Sequence, residues 1–168
     1  MKTVLLVYNP KAGTGSIKNH LDFIFAKFQD AGYTVIPVRG ARPEELDHMM
    51  KHVDAMRVDR IIAAGGDGTI NQVVNSMVRN DVHKPLAIFP VGTANDFAYY
   101  FRTPAEIEQM VDIALGDRMV PVDIGEINGQ YFINVAAMGH VFADLHRADM
   151  PGTVGQFSVH TLWLSPKL

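Results

Sequence analysis

Three short segments hold the residues best suited to chemistry. They are Asn9-Pro10-Lys11-Ala12-Gly13-Thr14-Gly15-Ser16, Gly65-Gly66-Asp67-Gly68-Thr69 and Pro90-Val91-Gly92-Thr93-Ala94-Asn95-Asp96-Phe97. Glycine lets a main chain approach an anion closely, and a helix that starts just after such a loop offers free N–H groups at the positive end of its dipole. Threonine and serine add hydroxyl donors. Two of the loops also carry a carboxylate, Asp67 and Asp96. A carboxylate beside a polyphosphate is repelled unless a divalent cation lies between them, and Mg2+ held by one or two carboxylates plus phosphate oxygens removes that conflict. Lys11 adds a point charge for the phosphates. Together these residues point to a Mg-nucleotide site and phosphoryl transfer. The common signatures are absent: there is no G-x-x-x-x-G-K-[ST] and no G-x-S-x-G, and Lys18 stands where a dinucleotide fingerprint beginning at Gly13 needs its third glycine.

The three loops act together only if the elements before them align. Thr3 to Tyr8, Tyr33 to Val38, Arg60 to Ala64 and Leu86 to Phe89 are short, nearly continuous apolar runs that read as strands. Between them lie helical periods. Leu21, Ile24, Phe25 and Phe28 follow a candidate N-cap at Ser16; Leu46, Met49, Met50 and Val53 follow Pro43; and Ile70, Val73, Val74 and Met77 follow the second loop. Asn95 to Phe101 and Pro104 to Leu115 read as two further helices. Strands alternating with helices imply an α/β fold, a mostly parallel doubly wound sheet with helices on both faces. Right-handed crossovers then bring the strand-to-helix loops to one sheet edge. After Gly116 the texture changes. Val120–Ile127, Asn128-Gly129 and Gln130–Ala136 form a hairpin pattern, since Asn-Gly favours the tight turn between antiparallel strands. The expected division is a nucleotide-binding unit over 1–116 and, over 117–168, a hairpin that begins a β-rich second domain. From Met138 onward the apolar residues fit no clean period.

Composition narrows the function classes. The chain has 168 residues, 48% of them apolar, and no cysteine, so disulfide scaffolds, thiolate metal sites and cysteine nucleophiles are excluded. By size scaling a chain of this mass buries about 69% of its unfolded surface, enough for a core. A net charge of −3 argues against a broad nucleic-acid footprint. No apolar run approaches the ~20 residues of a membrane span, and the short run from Val4 to Tyr8 ends at Asn9-Pro10 without a cleavage site, giving a cytoplasmic expectation.

The Gly65–Thr69 segment resembles the signature of the diacylglycerol kinase catalytic domain, within the superfamily that includes sphingosine kinases and NAD kinases. Asn9-Pro10-Lys11-Ala12-Gly13 is similar to that family's first loop, where serine commonly stands at the Ala12 position, and Pro90 to Ala98 is similar to its third motif. The resemblance covers roughly residues 1 to 140, closest to soluble bacterial lipid kinases. It implies ATP along Asn9, Pro10, Lys11, Ala12, Gly13, Gly40, Gly65, Gly66, Asp67, Gly68, Thr69, Ile70, Asn71, Gln72, Gly92, Thr93 and Asn95. Gly40 stands where the family often has threonine, and Gln72 where it usually has glutamate. Asp67 and Asp96 are the catalytic candidates and, with Asp123, the Mg2+ candidates. The resemblance implies a diacylglycerol-like lipid acceptor met peripherally at the inner membrane surface, and it admits a homodimer. In the family a further region carries the general base, and no residue here is assigned that role. The chain therefore reads as a nucleotide-binding part with a stub. A non-catalytic nucleotide-binding fragment and a soluble-substrate kinase such as an NAD kinase stay open.

Plainer roles compete for several of these residues. Asp67 and Asp96 could each cap a helix, and Asp123 could serve an ordinary hairpin. His48 and His52 have metal-ligand spacing but no third ligand, so a solvated helix face is favoured. Tyr99, Tyr100 and Phe101 read as core filling in preference to lipid contact.

Overall fold

The computed structural model describes residues 2–40, 42–127, 130–133 and 157–164. In chain order these form β1 (Lys2–Tyr8), α1 (Ile17–Asp30), β2 (Tyr33–Arg39), α2 (Pro43–Met50), β3 (Arg60–Gly65), α3 (Asp67–Arg79), β4 (Leu86–Pro90), α4 (Asp96–Tyr100), α5 (Ile107–Leu115), β5 (Val120–Ile127), β6 (Gln130–Phe132) and β7 (Phe157–Leu164). The strands make one sheet in the order β2-β1-β3-β4-β7-β5-β6. β2, β1, β3 and β4 run parallel, with Val4 beside Val35 and Arg60, and Ile61 beside Leu86. β5 pairs antiparallel with both β6 and β7.

The apolar runs are explained by cover on both faces. Along β1 and β3, Leu5, Val7, Ile61 and Ala63 join the core that holds Leu46 and Met50 of α2 and Ile70, Val73, Val74 and Met77 of α3. Val4, Leu6, Ile62 and Ala64, one residue out of phase, meet Ile24 and Phe28 of α1 and Met110, Val111 and Ala114 of α5. A strand alternates sides every residue, so a strand covered twice must be apolar at every position. Every residue of β3 is buried, and after Arg60 at its start all are apolar or glycine. Ile124 of β5 is fully buried in the α2–α3 core, and Val120, Val122, Tyr131 and Ile133 pack against it.

The structure differs from the sequence expectations at several points. Ser16 adopts helical angles (φ −63°, ψ −25°) and makes no side-chain cap. Asn95 is outside α4 in the left-handed region (φ 55°, ψ 42°), and α5 starts at Ile107, beyond Pro104. Asn128-Gly129 and residues 134–136 of the expected hairpin lie outside the described residues. The aperiodic tail contributes β7, whose Leu164 pairs with Leu86. Tyr99 is 87% exposed, which overturns its reading as core filling. Phe101 is half-buried and its ring stacks 4.6 Å from that of buried Phe97.

Candidate nucleotide site

The loops after β1, β3 and β4 meet at one sheet edge and interlock through their glycines. A Cβ on Gly13 would strike the Val91 carbonyl, one on Gly92 would overlap Gly66, and one on Gly65 would overlap the Thr69 side chain. Gly13 is also left-handed, with φ +54°, a conformation that costs side-chain-bearing residues roughly 1–2 kcal/mol. Gly13 and Gly92 thus serve loop-to-loop contact, and Gly65 makes room for Thr69 within the second loop, as well as any approach to an anion.

Polar side chains complete the frame. Asn9 accepts the Lys11 N–H at 2.9 Å and donates Nδ2–H to the Thr69 hydroxyl at 3.4 Å, joining the first loop to the second. The Asp67 carboxylate accepts the backbone N–H groups of Asp96 (3.3 Å) and Phe97 (3.2 Å), so it caps α4 across the loops. A carboxylate has about four lone-pair positions, so two amides leave acceptor capacity for a cation. Asp96 is exposed at the start of α4. Asn95 accepts the Gly92 N–H at 2.9 Å and donates to the Gly92 carbonyl at 2.9 Å. Its amide braces the third loop, and asparagine is among the few side-chain-bearing residues that tolerate its left-handed angles.

A cleft of about 140 Å³ opens between β1, the end of β2, α2 and α3. Asn9, Gly40, Thr69 and Gln72 line it beside the apolar Leu46 and Val73. Pockets that enclose a whole small ligand are typically a few hundred Å³, so this cleft is too small to enclose one by itself. Lys11, Gly68, Asn71 and Thr93 are exposed around it, Gly13 is exposed in the first loop, and Pro10 and Ala12 are buried beneath that loop. Ile70 is a core residue: its side chain is fully buried and its N–H bonds the Gly66 carbonyl. Asp123 is exposed on β5, opposite Thr161. Among the described residues no three His, Asp or Glu side chains gather as a metal site, so Asp123 does not join Asp67 and Asp96 in a common cluster. His48 is exposed on α2 and His52 is exposed in the turn just beyond it, with His52 Nδ1 2.7 Å from the His48 carbonyl.

Two positions escaped the sequence reading. Asp47 of α2 accepts Ser76 Oγ–H at 2.5 Å, Arg79 at 2.9 Å and Asn80 at 3.4 Å. Burial pushes its pKa up, but the hydrogen bonds from Arg79, Ser76 and Asn80 and the Arg79 charge outweigh that and hold the carboxyl below its ordinary value. Asn75 is a buried amide on α3 that bonds the main chain of Tyr131. A polar residue within an apolar helical period was the available signal for Asn75, whereas nothing local marks Asp47.

The comparisons with known proteins agree with this geometry. The family model of the diacylglycerol kinase catalytic domain matches residues 3–127. The chain belongs to the diacylglycerol kinase catalytic domain family. It is 41% identical over 142 residues to a diacylglycerol kinase of Bacillus subtilis (strain 168), covering 84% of this chain and 47% of that protein. A diacylglycerol kinase of Staphylococcus haemolyticus (strain JCSC1435) is 38% identical over 142 residues, 83% of this chain and 42% of the relative. The crystal structure of a diacylglycerol kinase from Bacillus anthracis str. Sterne superposes with a TM-score of 0.66 at 31% identity, over 78% of this chain and 45% of that one. The chain thus spans about half the length of these diacylglycerol kinase relatives. The family match contains all three glycine loops and ends with β5, before β6. No helix among the described residues is long and apolar enough to cross a membrane.

Proposed function

We propose that this chain is the nucleotide-binding part of an ATP- and Mg2+-dependent lipid kinase that phosphorylates a diacylglycerol-like hydroxyl at a membrane surface. The observation that carries this reading is the convergence of three glycine loops around Asp67 and Asp96 in a member of the diacylglycerol kinase family. The base and ribose would occupy the cleft beside Gly40, Leu46 and Val73, and the phosphates would run past Asn9, Thr69 and the first-turn amides of α3. The carboxylates of half-buried Asp67 and exposed Asp96 fit Mg2+, which when bound would offset carboxylate–phosphate repulsion and polarise the transferred group. In the reaction a bond forms between the acceptor oxygen and the γ-phosphorus, the bond to the ADP oxygen breaks, and the acceptor proton passes to a base. Residues 1–116 are read as the nucleotide-binding unit and 117–168 as the beginning of the second.

A second reading is favoured by one fact, the half-length match to the relatives: this chain by itself binds nucleotide without turnover. One experiment separates the two. Wild type and Asp67→Ala are given Mg-ATP and diacylglycerol in mixed micelles, and lipid phosphate and thermal stability are measured. Labelled lipid that disappears in Asp67→Ala supports the kinase. Nucleotide-dependent stabilisation without product supports the binding fragment, and transfer to a soluble acceptor without micelles points to the NAD-kinase-like alternative.

A further inference from the structure

Asn75 is the one buried asparagine among the described residues, 5% exposed on the inner face of α3. It lies one turn beyond Gln72, which lines the cleft, and just over two turns beyond Asp67. Its Nδ2 donates to the Tyr131 carbonyl at 2.6 Å and its Oδ1 accepts the Tyr131 N–H at 3.0 Å. Nδ2 also reaches the Asn71 carbonyl at 2.9 Å within the helix. A primary amide presents the same donor and acceptor as a peptide group, so Asn75 treats Tyr131 as a neighbouring strand would. Among the described residues β6 stands at the end of the sheet, where backbone groups that face away from β5 take partners from outside it, and Asn75 is such a partner for Tyr131.

We propose that Asn75 is a positioning residue that sets the register of the β5–β6 pair on α3, so that one rigid helix fixes both the nucleotide loop and β6. This rests on the kinase reading above. An apolar residue at position 75 would pack there without choosing among Gln130, Tyr131 and Phe132, since burial is non-directional. The paired hydrogen bonds choose Tyr131 alone. At its other end α3 begins with Asp67, which caps α4 and so fixes the third loop. Contacts made by a nucleotide at the first turn of α3 are therefore carried to Tyr131 through about two turns of helix and one side chain.

The test is amide hydrogen exchange on this chain, wild type against Asn75→Asp, with and without Mg-ATP. Aspartate keeps the shape and one acceptor but sets an oxygen against the Tyr131 and Asn71 carbonyls. Exchange at Tyr131–Ile133 should be about tenfold faster in the variant, and nucleotide should slow it in wild type only. In both proteins nucleotide should protect Asn9–Gly13 and Gly66–Gln72, with affinities within about threefold. Unchanged exchange at Tyr131 in the variant overturns the proposal, as does nucleotide that protects the wild-type loops and leaves Tyr131 untouched. Wild-type loops that nucleotide does not protect overturn the kinase reading, and this proposal with it, in a pattern distinct from the other two. Should Asn75→Asp not fold, Asn75→Ser is read the same way, and the wild-type nucleotide comparison decides alone.

Discussion

Asp67 and Asp96 stand side by side in the candidate site, yet their structural duties differ. Asp67 accepts two amides of α4, whereas Asp96 is exposed at the first position of that short helix. Asp67→Ala should therefore cost about 1 kcal/mol of stability as a lost cap, while Asp96→Ala should stay within about 0.5 kcal/mol as an exposed substitution. Both should abolish the Mg2+-dependence of nucleotide binding, and urea unfolding with ATP titration reads the two effects. Asp47 supplies the pH prediction. Its native pKa lies below the ordinary carboxyl value of 3.8, so its stabilisation is fully present above that value and drains away as pH falls through the native one. Asp47→Asn should cost about 1–2 kcal/mol at pH 7, and the gap between variant and wild type should narrow as pH falls below the ordinary carboxyl value. Denaturant midpoints across that range check the sign.

At the scale of elements, the loops and helices are held by close approach of backbone. Gly92 and Gly68 make opposite predictions. A Cβ on Gly92 overlaps Gly66 and the Asn95 side chain, while one on Gly68 meets nothing within 4 Å. Gly92→Ala should push the second and third loops apart, lowering stability by roughly 1–3 kcal/mol. Gly68→Ala lies in the first turn of α3 and should raise stability by up to about 1 kcal/mol, since glycine is a poor helix former. If the main chain at Gly68 lies against phosphate, the same variant should still weaken ATP binding. Thermal unfolding and nucleotide titration of Gly68→Ala measure these opposed changes. α3 is the common support: its first turn faces the site, Ser76 and Arg79 meet Asp47 of α2, and Asn75 holds β6.

For the whole molecule, the consequential feature is that β5 shares a core with the parallel strands. Fully buried Ile124 belongs with Leu5, Ile61 and Val74. Ile124→Ala should cost about 2–5 kcal/mol by cavity formation. It should shift one cooperative transition seen alike by tryptophan fluorescence and far-ultraviolet circular dichroism. A transition that splits in two would show that the hairpin folds apart from the α/β layers. Nucleotide at a hundred times its dissociation constant should add about 2.7 kcal/mol to the same transition.

The amino-acid sequence determined the repeating elements, because the period of its apolar residues decides between strand and helix before any long-range contact exists. Thr3 to Tyr8 and the Ile70, Val73, Val74, Met77 stripe were legible for that reason, and so were the glycine loops after β1, β3 and β4. What period and local type leave open is pairing across the chain. β7 was hidden because Thr161-Leu162-Trp163-Leu164 breaks the alternation of Phe157 to His160. Tyr99 looked like core until packing placed Phe97 inside and Tyr99 outside. The dual role of Asp67, the strut at Asp47 and the hold of Asn75 on Tyr131 join residues 29 to 56 positions apart. Only the folded chain brings such residues within the 3 Å or so that a hydrogen bond requires, and there the tertiary structure decided which polar residues brace the loops and which stay exposed beside them.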